Sequence, residues 1–402
     1  MDYLTNKTCP RINRSEDFIF FDQSSEKLLV SLHTIGWMAA SLFTLLSCIL
    51  TFWLIRQHVK SYNKPDEQRL IIRLLMMVPI YTVFDLLSYF FIRQSVYFAT
   101  IRDVYQAASI ISFFNLLLEY LGSSEHIRTI KLLRVTSTSA PFPFCCCSFN
   151  PSKHTLLLPG LKLGVLQYVL ILYLTTLIAL LLQFLGVFCK ESWSIYFPQI
   201  HLILVQTVSS LIANLCLNFF FQAVKEELSR HQLILKDICI NWALFFVTYQ
   251  GHALAIAVFV GLIGPTDYLT ADDISTAVQS VLMSMEFFFL SILQLKAFSA
   301  AEYTSITGNA LSSPNNSFSY KQMPPYTTLE VLLDALNPFD TIMDLIYVIN
   351  FIFKHMIMRR PEPAPPHHEV KRLSNLRSES DFVPMISNLD LGEINNNSRI
   401  IG

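Results

Sequence analysis

The feature of this sequence that most constrains its fold is a series of seven long apolar stretches. Each is close to the roughly 20 residues that a helix needs to cross about 30 Å of hydrocarbon. Only 15% of the 402 residues are charged, against roughly a quarter in soluble domains. The sequence therefore predicts an all-α integral membrane protein, a seven-transmembrane helix bundle. The predicted spans are Leu29–Ile55, Leu74–Ile92, Val104–Leu121, Leu163–Phe188, Ile195–Val224, Ile238–Gly264 and Ile274–Leu295.

Lysines and arginines in the connections predict which way the bundle faces. Connections rich in these residues stay in the cytosol during insertion. The first, third and fifth connections are rich in them, whereas Arg93 and Arg102 only flank the second and the sixth carries acids alone. We therefore expect the N-terminus outside and the C-terminus in the cytosol. The basic residues are Arg56, Lys60, Lys64, Arg69 and Arg73, then Arg128, Lys131, Arg134, Lys153 and Lys162, and finally Lys225, Arg230 and Lys236.

The composition changes after the last span. Residues 299–328 are polar and read as a linker, and residues 329–358 are apolar again but broken by Asn337-Pro338. Asn337 suits an N-cap and Pro338 the first helical position, so we expect an amphipathic helix on the inner membrane surface. An eighth span is the alternative, and it would put Arg359 and Arg360 outside, against the charge rule. The rest of the chain divides into three predicted parts. Residues 1–28 form an extracytosolic segment, residues 29–298 the seven-helix domain, and residues 359–402 a disordered cytosolic tail.

Polar side chains recur at helical spacing inside the predicted spans. Buried carboxylates are costly in a bilayer and usually face a partner or a watery cavity. Such stripes form either hydrogen bonds between helices or the wall of a solute path, and together they favour a path. Glu286 lies closest to the middle of a span and is the strongest functional candidate. The candidates from the stripes are Asp85, Asn115, Glu119, Asn214, Asn218, His252 and Glu286.

The cysteines suggest two modifications and no metal site. Cys145, Cys146 and Cys147 lie in the third connection, where palmitoylation or three inert thiols are the two interpretations. Cys9 and Cys189 are the pair that an oxidising compartment could join in a disulfide. Metal ligands at suitable spacing are missing from the sequence, and neither a cofactor nor a nucleic-acid partner is expected at a net charge of -1.

Several motifs together resemble the organic solute transporter alpha-subunit and transmembrane protein 184 family. Individually the motifs are short, but their joint order is specific and the likeness covers residues 30–355. The motifs are Ile72-Arg-Leu-Leu-Met-Met-Val-Pro-Ile-Tyr81, Ile101-Arg-Asp-Val-Tyr-Gln106, Leu116-Leu-Leu-Glu-Tyr-Leu-Gly122, Pro143-Phe-Cys-Cys146, Leu161-Lys-Leu-Gly-Val-Leu-Gln-Tyr168, Met285-Glu-Phe287 and Asp334-Ala-Leu-Asn-Pro338.

The resemblance implies facilitated movement of amphipathic organic anions such as steroid conjugates and bile acids. Glu119, Gln167 and Glu286 fall in matching motifs, and the cysteine run matches a lipidation-prone loop of the family. The sixth-helix motif departs from the family's usual phenylalanine-tryptophan-glutamine, since it reads Thr248-Tyr249-Gln250; this leaves Gln250 as a further candidate for the path. The resemblance also implies a single-span beta subunit as partner, beside membrane lipid and solute, and a homodimer is the alternative.

Other classes of seven-helix protein fit the sequence less well. The third span ends Glu-Tyr-Leu-Gly-Ser-Ser, without the acid-arginine-aromatic switch of a receptor, and the seventh predicted span contains no lysine that could bind retinal. An enzyme is not expected, because the histidines form no recognisable catalytic motif. Two hypotheses remain: a facilitative carrier of amphipathic solutes, and a signalling or trafficking protein without transport. Plasma, endosomal and vacuolar membranes all fit.

The two sequons in the predicted outer segment test the orientation. If the N-terminus is outside, Asn6 and Asn13 can be glycosylated, and Asn6→Gln with Asn13→Gln removes mass that a glycosidase also removes. The measurement is gel mobility with and without the glycosidase. Labelling of this segment by a reagent confined to the cytosol would contradict the orientation.

Overall fold

A computed structural model of the protein describes residues 27–91, 94–122, 157–185, 196–225, 232–264, 270–303 and 328–337, together with residues 343, 346 and 350. Every regular element in these ranges is a helix. The helices are α1 (Lys27–Lys60), α2 (Pro65–Leu75), α3 (Met77–Phe90), α4 (Ser95–Leu121), α5 (Leu157–Phe184), α6 (Pro198–Val224), α7 (Leu233–Phe245), α8 (Gly251–Phe259), α9 (Ala271–Ala297) and α10 (Thr328–Leu336), with a π-helical segment Phe246–Gln250 between α7 and α8.

Seven helical spans in the described ranges are long and apolar enough to cross a membrane, which confirms the predicted bundle. The second span combines α2 and α3, and the sixth combines α7, the π-helical segment and α8. The seven are His33–Lys60, Pro65–Phe90, Ser95–Leu121, Leu158–Phe184, Pro198–Val224, Leu233–Phe259 and Ala271–Tyr303. Which end of the bundle faces the cytosol stays a prediction.

The second and third spans begin furthest ahead of their predicted apolar stretches. The third starts at Ser95 rather than Val104, so Arg102 and Asp103 lie inside a helix instead of in a connection. The second starts at Pro65 and includes Arg69 and Arg73. Hydropathy excluded these residues because they are charged, but they have partners in the fold, and paired charges can be accommodated inside a bundle.

The break between α2 and α3 follows from a proline. Pro79 has no N–H and its ring crowds the carbonyl four residues earlier, so a continuous helix cannot pass through it undisturbed. The chain turns at Met76, three residues before the proline, while its N–H still bonds to the Ile72 carbonyl. The seventh span begins without such a break, at a capping box in which Thr270 and Asp273 each accept the other's backbone N–H at 3.1 Å.

The bundle packs around a mainly apolar core with buried polar groups, and its outside is apolar as well. α1, α7 and α8 all pack against α9. α3 lies between α4 and α9, and α5 lies between α4 and α6. On the outer face of α1, Leu45, Ile49 and Trp53 are between 54% and 58% exposed. Such a face suits hydrocarbon, because lipid requires apolar contacts rather than hydrogen bonds.

The two ends of the bundle differ, and we call the end at which α1 begins the N-terminal end. At the opposite end a buried lysine ties three spans together. Lys236 at the start of α7 is 1% exposed; its Nζ donates to the Tyr120 hydroxyl at 2.8 Å and lies 3.6 Å from a carboxylate oxygen of Glu302. Its charge also lies over the ring of Tyr120. This end is closed by packed and paired side chains.

Neighbouring contacts extend this closure to the first and second spans. His58 Nε2 is 2.8 Å from the Phe298 carbonyl. The Tyr303 hydroxyl donates to the carboxylate of Glu67 at 3.1 Å. The first, second, third, sixth and seventh spans therefore meet in one continuous set of contacts, which we call the Lys236 network.

The short helix α10 docks against the second span. Arg73, which is 3% exposed, donates to the carbonyls of Ala335 at 2.8 Å and Asn337 at 3.0 Å. A buried cation thus satisfies the free carbonyls at the end of α10, where the helix dipole favours positive charge. α10 ends just before Asn337-Pro338, where the sequence pattern also breaks. Residues 343, 346 and 350 are helical as well, and a membrane-surface position for 329–358 stays a prediction.

Several predicted features fall outside the described residues. These are the sequons at Asn6 and Asn13, the cysteines Cys9, Cys189 and Cys145 to Cys147, most of the linker and the tail from residue 351 onward. What the sequence indicates for these features therefore stays a prediction.

Candidate functional site

A polar cavity of about 280 Å³ lies inside the bundle. Side chains from all spans except the first line it, so nearly the whole fold is needed to form it. Its lining mixes charged and amide side chains with aliphatic ones. The lining residues are Asp85, Ser88, Ser95, Ala99, Arg102, Asp103, Gln106, Tyr168, Leu172, Gln199, Ile203, Gln206, Thr207, Ser210, Val247, Thr248, Gly251, His252, Ala255, Asp272, Ser275, Thr276 and Gln279.

The cavity lies toward the N-terminal end of the bundle. It is lined by the last turns of α3, the first half of α4, the first half of α6, α8 and the first turns of α9. Only α5 contributes from near its middle, through Tyr168 and Leu172. The Lys236 network lies at the other ends of the same helices. The polar cavity therefore lies toward one end of the bundle, and the Lys236 network occupies the other.

A buried ion pair forms the charged centre of the cavity. Arg102 on α4 donates from Nη1 to Oδ1 of Asp85 on α3, and the two side chains are only 15% and 5% exposed. The Arg102 Nε lies 3.6 Å from a carboxylate oxygen of Asp103. One guanidinium is thus held between two carboxylates. Removing charges from water is expensive, and such a pair persists because each ion compensates the other.

Asp85 also joins the second span to the seventh. The Ser280 hydroxyl on α9 donates to the Asp85 backbone carbonyl at 2.8 Å. The second carboxylate oxygen, Oδ2, is buried and has no hydrogen-bond partner among the described residues. Buried acceptors usually have a partner, so this oxygen is an unsatisfied acceptor beside the cavity.

The π-helical segment of the sixth span forms one wall. Such segments are rare and occur often at functional sites, because the extra residue per turn redirects the following side chains. Thr248 in the segment and His252 just after it line the cavity. The His252 ring lies between the Thr248 carbonyl and the Thr207 hydroxyl on α6, at 2.9 Å from Nε2. This histidine therefore connects the fifth and sixth spans across the cavity.

A second cavity of about 540 Å³ lies between α6 and α7, toward the opposite end. Amide and carboxyl side chains at its inner part, including Asn214 and Asp237, face aromatic rings. Its residues Trp242 and Phe245 are 37% and 56% exposed, so it opens on the side of the bundle. The lining residues are Asn214, Asn218, Asp237, Ile238, Asn241, Trp242, Leu244, Phe245, Phe246 and Tyr249.

The structure distributes the predicted path residues among three settings. Asp85 and His252 line the polar cavity, whereas Asn214 and Asn218 line the second one. Gln167 exchanges two hydrogen bonds with Ser209, at 3.1 and 3.0 Å, and so connects α5 to α6. The remaining candidates line neither of these cavities. They are Asn115, Glu119, Gln250 and Glu286.

Glu286 lies on the cavity face of α9 but deeper in the bundle. It follows Gln279 by seven residues, which is about two turns and roughly 10 Å along a helix. It is half-buried, and one of its oxygens has no hydrogen-bond partner within the described ranges. An unsatisfied carboxylate below the cavity extends the polar face toward the opposite end.

Sequence reasoning missed Arg102 and Asp103 as site residues. It assigned Arg102 to a connection because hydropathy placed the beginning of the third span at Val104. A usable signal was present, since Ala99, Arg102, Asp103 and Gln106 follow the three- and four-residue spacing of one helix face. In the described ranges, no group of histidine, cysteine or acidic side chains is arranged to hold a metal ion.

The Asp85–Arg102 pair gives a prediction about stability. Asp85→Asn alone removes a negative charge that compensates the buried guanidinium of Arg102. We therefore expect the free energy of unfolding to fall by about 3 kcal/mol. Adding Arg102→Gln removes the uncompensated charge, so the double variant should lose less than the sum of the two single losses. The measurement is denaturant unfolding in mild detergent.

The pair Asp66–Arg69, whose acid is exposed, is the matched control. These groups lie 3.6 Å apart, and Asp66 is 77% exposed, so the corresponding variants should each cost less than about 1 kcal/mol. Additive losses at Asp85 and Arg102 would contradict the coupling.

Comparison with known proteins gives the family. The family model described as organic solute transporter Ostalpha matches residues 36–303. A transmembrane protein 184 homolog from Dictyostelium discoideum is 32% identical over 267 residues, which are 65% of this chain and 52% of that protein. A protein LAZ1 homolog from Arabidopsis thaliana is 27% identical over 285 residues, 66% of this chain and 57% of that protein.

The chain spans about half the length of these curated relatives. No solved structure matches it. The resemblance read from the motifs is confirmed, and the matched region begins in α1 and ends with the last residue of the seventh span. Because the family model covers more than half of the sequence, this multi-pass membrane protein belongs to the organic solute transporter Ostalpha family, a membrane transporter-like family.

Proposed function

We propose that the protein is a facilitative transporter of amphipathic organic solutes and binds them in the polar cavity. The observation that carries this proposal is a cavity lined by six spans and centred on a buried ion pair. A bundle needing only packing would fill this volume with side chains, because protein interiors leave few voids. Family membership supports transport of a solute.

The lining suits a molecule with one polar and one apolar part. Asp103, Gln206 and Thr276 supply polar groups, whereas Leu172 and Ile203 supply apolar surface. Binding sites for small molecules combine these elements in about 300–1,000 Å³. At about 280 Å³, the cavity fits a head group with part of an apolar body. Steroid conjugates and bile-acid-like anions are the solutes that the family resemblance implies.

Transport then requires access from each side in turn. With the N-terminus outside, the polar cavity would face the exterior and the Lys236 network would seal the cytosolic end. Release into the cytosol would need that network to separate, and Glu286 offers a polar position on the way. A nucleotide-binding phosphate loop is missing from the sequence, so a solute gradient would supply the driving force.

The second cavity offers a route for the apolar part of a solute. Its side faces the lipid, and its inner amide groups lie near the π-helical segment that also borders the polar cavity. Tyr249 lines the second cavity and Thr248 lines the first. A solute could keep its apolar body in lipid while its head group passes between α6 and α7.

Filling the polar cavity tests the proposal. Ala255 on α8 lines the cavity, whereas Ala253 on the same helix is exposed. We expect Ala255→Phe to lower solute uptake by reconstituted vesicles at least about tenfold, because a ring displaces bound solute, and Ala253→Phe to leave it nearly unchanged. The labelled solutes are a neutral, an anionic and a cationic steroid.

Both variants must first match the parent in expression and thermal stability. The vesicles are prepared with and without a candidate single-span subunit, since the family resemblance implies such a partner. If the parent protein moves none of the solutes in either case, the transport proposal fails and a signalling or trafficking role becomes the better account.

A further inference from the structure

Several hydrogen-bonding groups of the polar cavity's lining residues have no hydrogen left to donate to a ligand. A hydroxyl carries one hydrogen, so a hydroxyl that donates to its own helix can only accept from a ligand. Ser88 donates to the Phe84 carbonyl at 2.8 Å, and Thr276 donates to the Asp272 carbonyl at 2.8 Å. Both side chains therefore present lone pairs alone to the cavity.

A hydroxyl on the fifth span also has no hydrogen left for a ligand. The Thr207 hydroxyl has two neighbours, the Ile203 carbonyl at 2.8 Å and the His252 ring at 2.9 Å. Whichever of them receives its hydrogen, none is left for a ligand.

One glutamine has an orientation fixed by its neighbours. Thr175 donates its hydrogen to the carbonyls of its own helix, at 2.8 Å from Ile171 and 3.1 Å from Leu172. The Gln206 amide nitrogen must therefore be the group that donates to the Thr175 oxygen at 2.7 Å. With the nitrogen held there, the amide oxygen of Gln206 remains an acceptor, and one N–H of the same amide remains a donor.

The formal charges of the lining also favour a positively charged ligand. The lining contains three carboxylates, Asp85, Asp103 and Asp272, and one guanidinium, Arg102. That guanidinium already faces Asp85 and Asp103. An anionic head group would have to compete with two carboxylates for Arg102 and would lie close to a third. A cation, in contrast, would be attracted by all three carboxylates of the lining.

We infer that the polar cavity selects amphipathic solutes whose head group is a protonated amine. Such a group brings a positive charge and several N–H donors to a site of acceptors with excess negative charge. The inference rests on the proposed function, since it names the solute class of the same cavity. It differs from the anionic class that the family resemblance implies.

Three steroids with one ring skeleton test the inference. They carry an amine, a hydroxyl or a sulfate at the same position, so that only the head group changes. Binding is measured on the purified full chain in nanodiscs of zwitterionic lipid, with empty nanodiscs subtracted to remove partition into lipid. We expect the amine to bind most tightly, the alcohol less tightly and the sulfate most weakly.

An acid-to-amide substitution tests the role of the cavity charge. Asp103→Asn should weaken amine binding roughly tenfold, the scale expected when a nearby charge is lost from a partly screened site, and should weaken alcohol binding less. Asp66→Asn is the matched control, because Asp66 is 77% exposed on α2 and lies outside the cavity. Thermal stability of both variants is measured alongside, and Thr276→Val provides a second, uncharged loss of an acceptor.

The outcomes separate this inference from the proposed function. If the amine binds most tightly and Asp103→Asn reduces this preference, both the amine inference and the proposed function are supported. Tightest binding of the sulfate, with uptake that Ala255→Phe abolishes, overturns the amine inference and leaves the transporter. If none of the three steroids binds or is taken up, both fail.

Discussion

The contact on which the cavity depends most is the buried ion pair between Asp85 and Arg102. Two charges inside a membrane bundle lose the free energy of solvation, and only close pairing offsets that loss. Arg102 lies on the third span, Asp85 lies on the second, and Ser280 fixes the Asp85 backbone to the seventh. These contacts hold three spans together at the wall of the cavity.

The opposite end has different chemistry. There Lys236 is enclosed by Tyr120 and Glu302, and large aliphatic and aromatic side chains fill the space around them. α10 adds to this end, because Arg73 reaches from the second span to its terminal carbonyls. The polar cavity thus lies toward one end, while at the other end the buried cations Lys236 and Arg73 are paired with groups of neighbouring helices. A carrier that exposes its site to one side at a time needs this asymmetry.

Much of the fold could be predicted from the sequence, because a bilayer allows few alternatives: uncharged helices of about 20 residues must span it. Asp85 and His252 were found as cavity residues for the same reason, since polar groups stand out within apolar spans. Arg102 and Asp103 were missed because hydropathy treats a charge as the end of a helix. Gln167 and Ser209 show why a polar stripe alone is ambiguous: their hydrogen bonds connect two helices, and only three-dimensional contacts separate that role from solute binding.

The central claim is that the polar cavity takes up solute from outside while the cytosolic end is closed. Single cysteines on α9, in a chain whose native cysteines are replaced, test it most directly: one at Thr276 in the cavity wall, the other at Ser291, which is 1% exposed. In sealed cells, we expect a membrane-impermeant maleimide to label Thr276→Cys from outside, with protection by bound amphiphile, and to leave Ser291→Cys unlabelled. Labelling of Thr276→Cys only from the cytosolic side, or none at all, would contradict the claim.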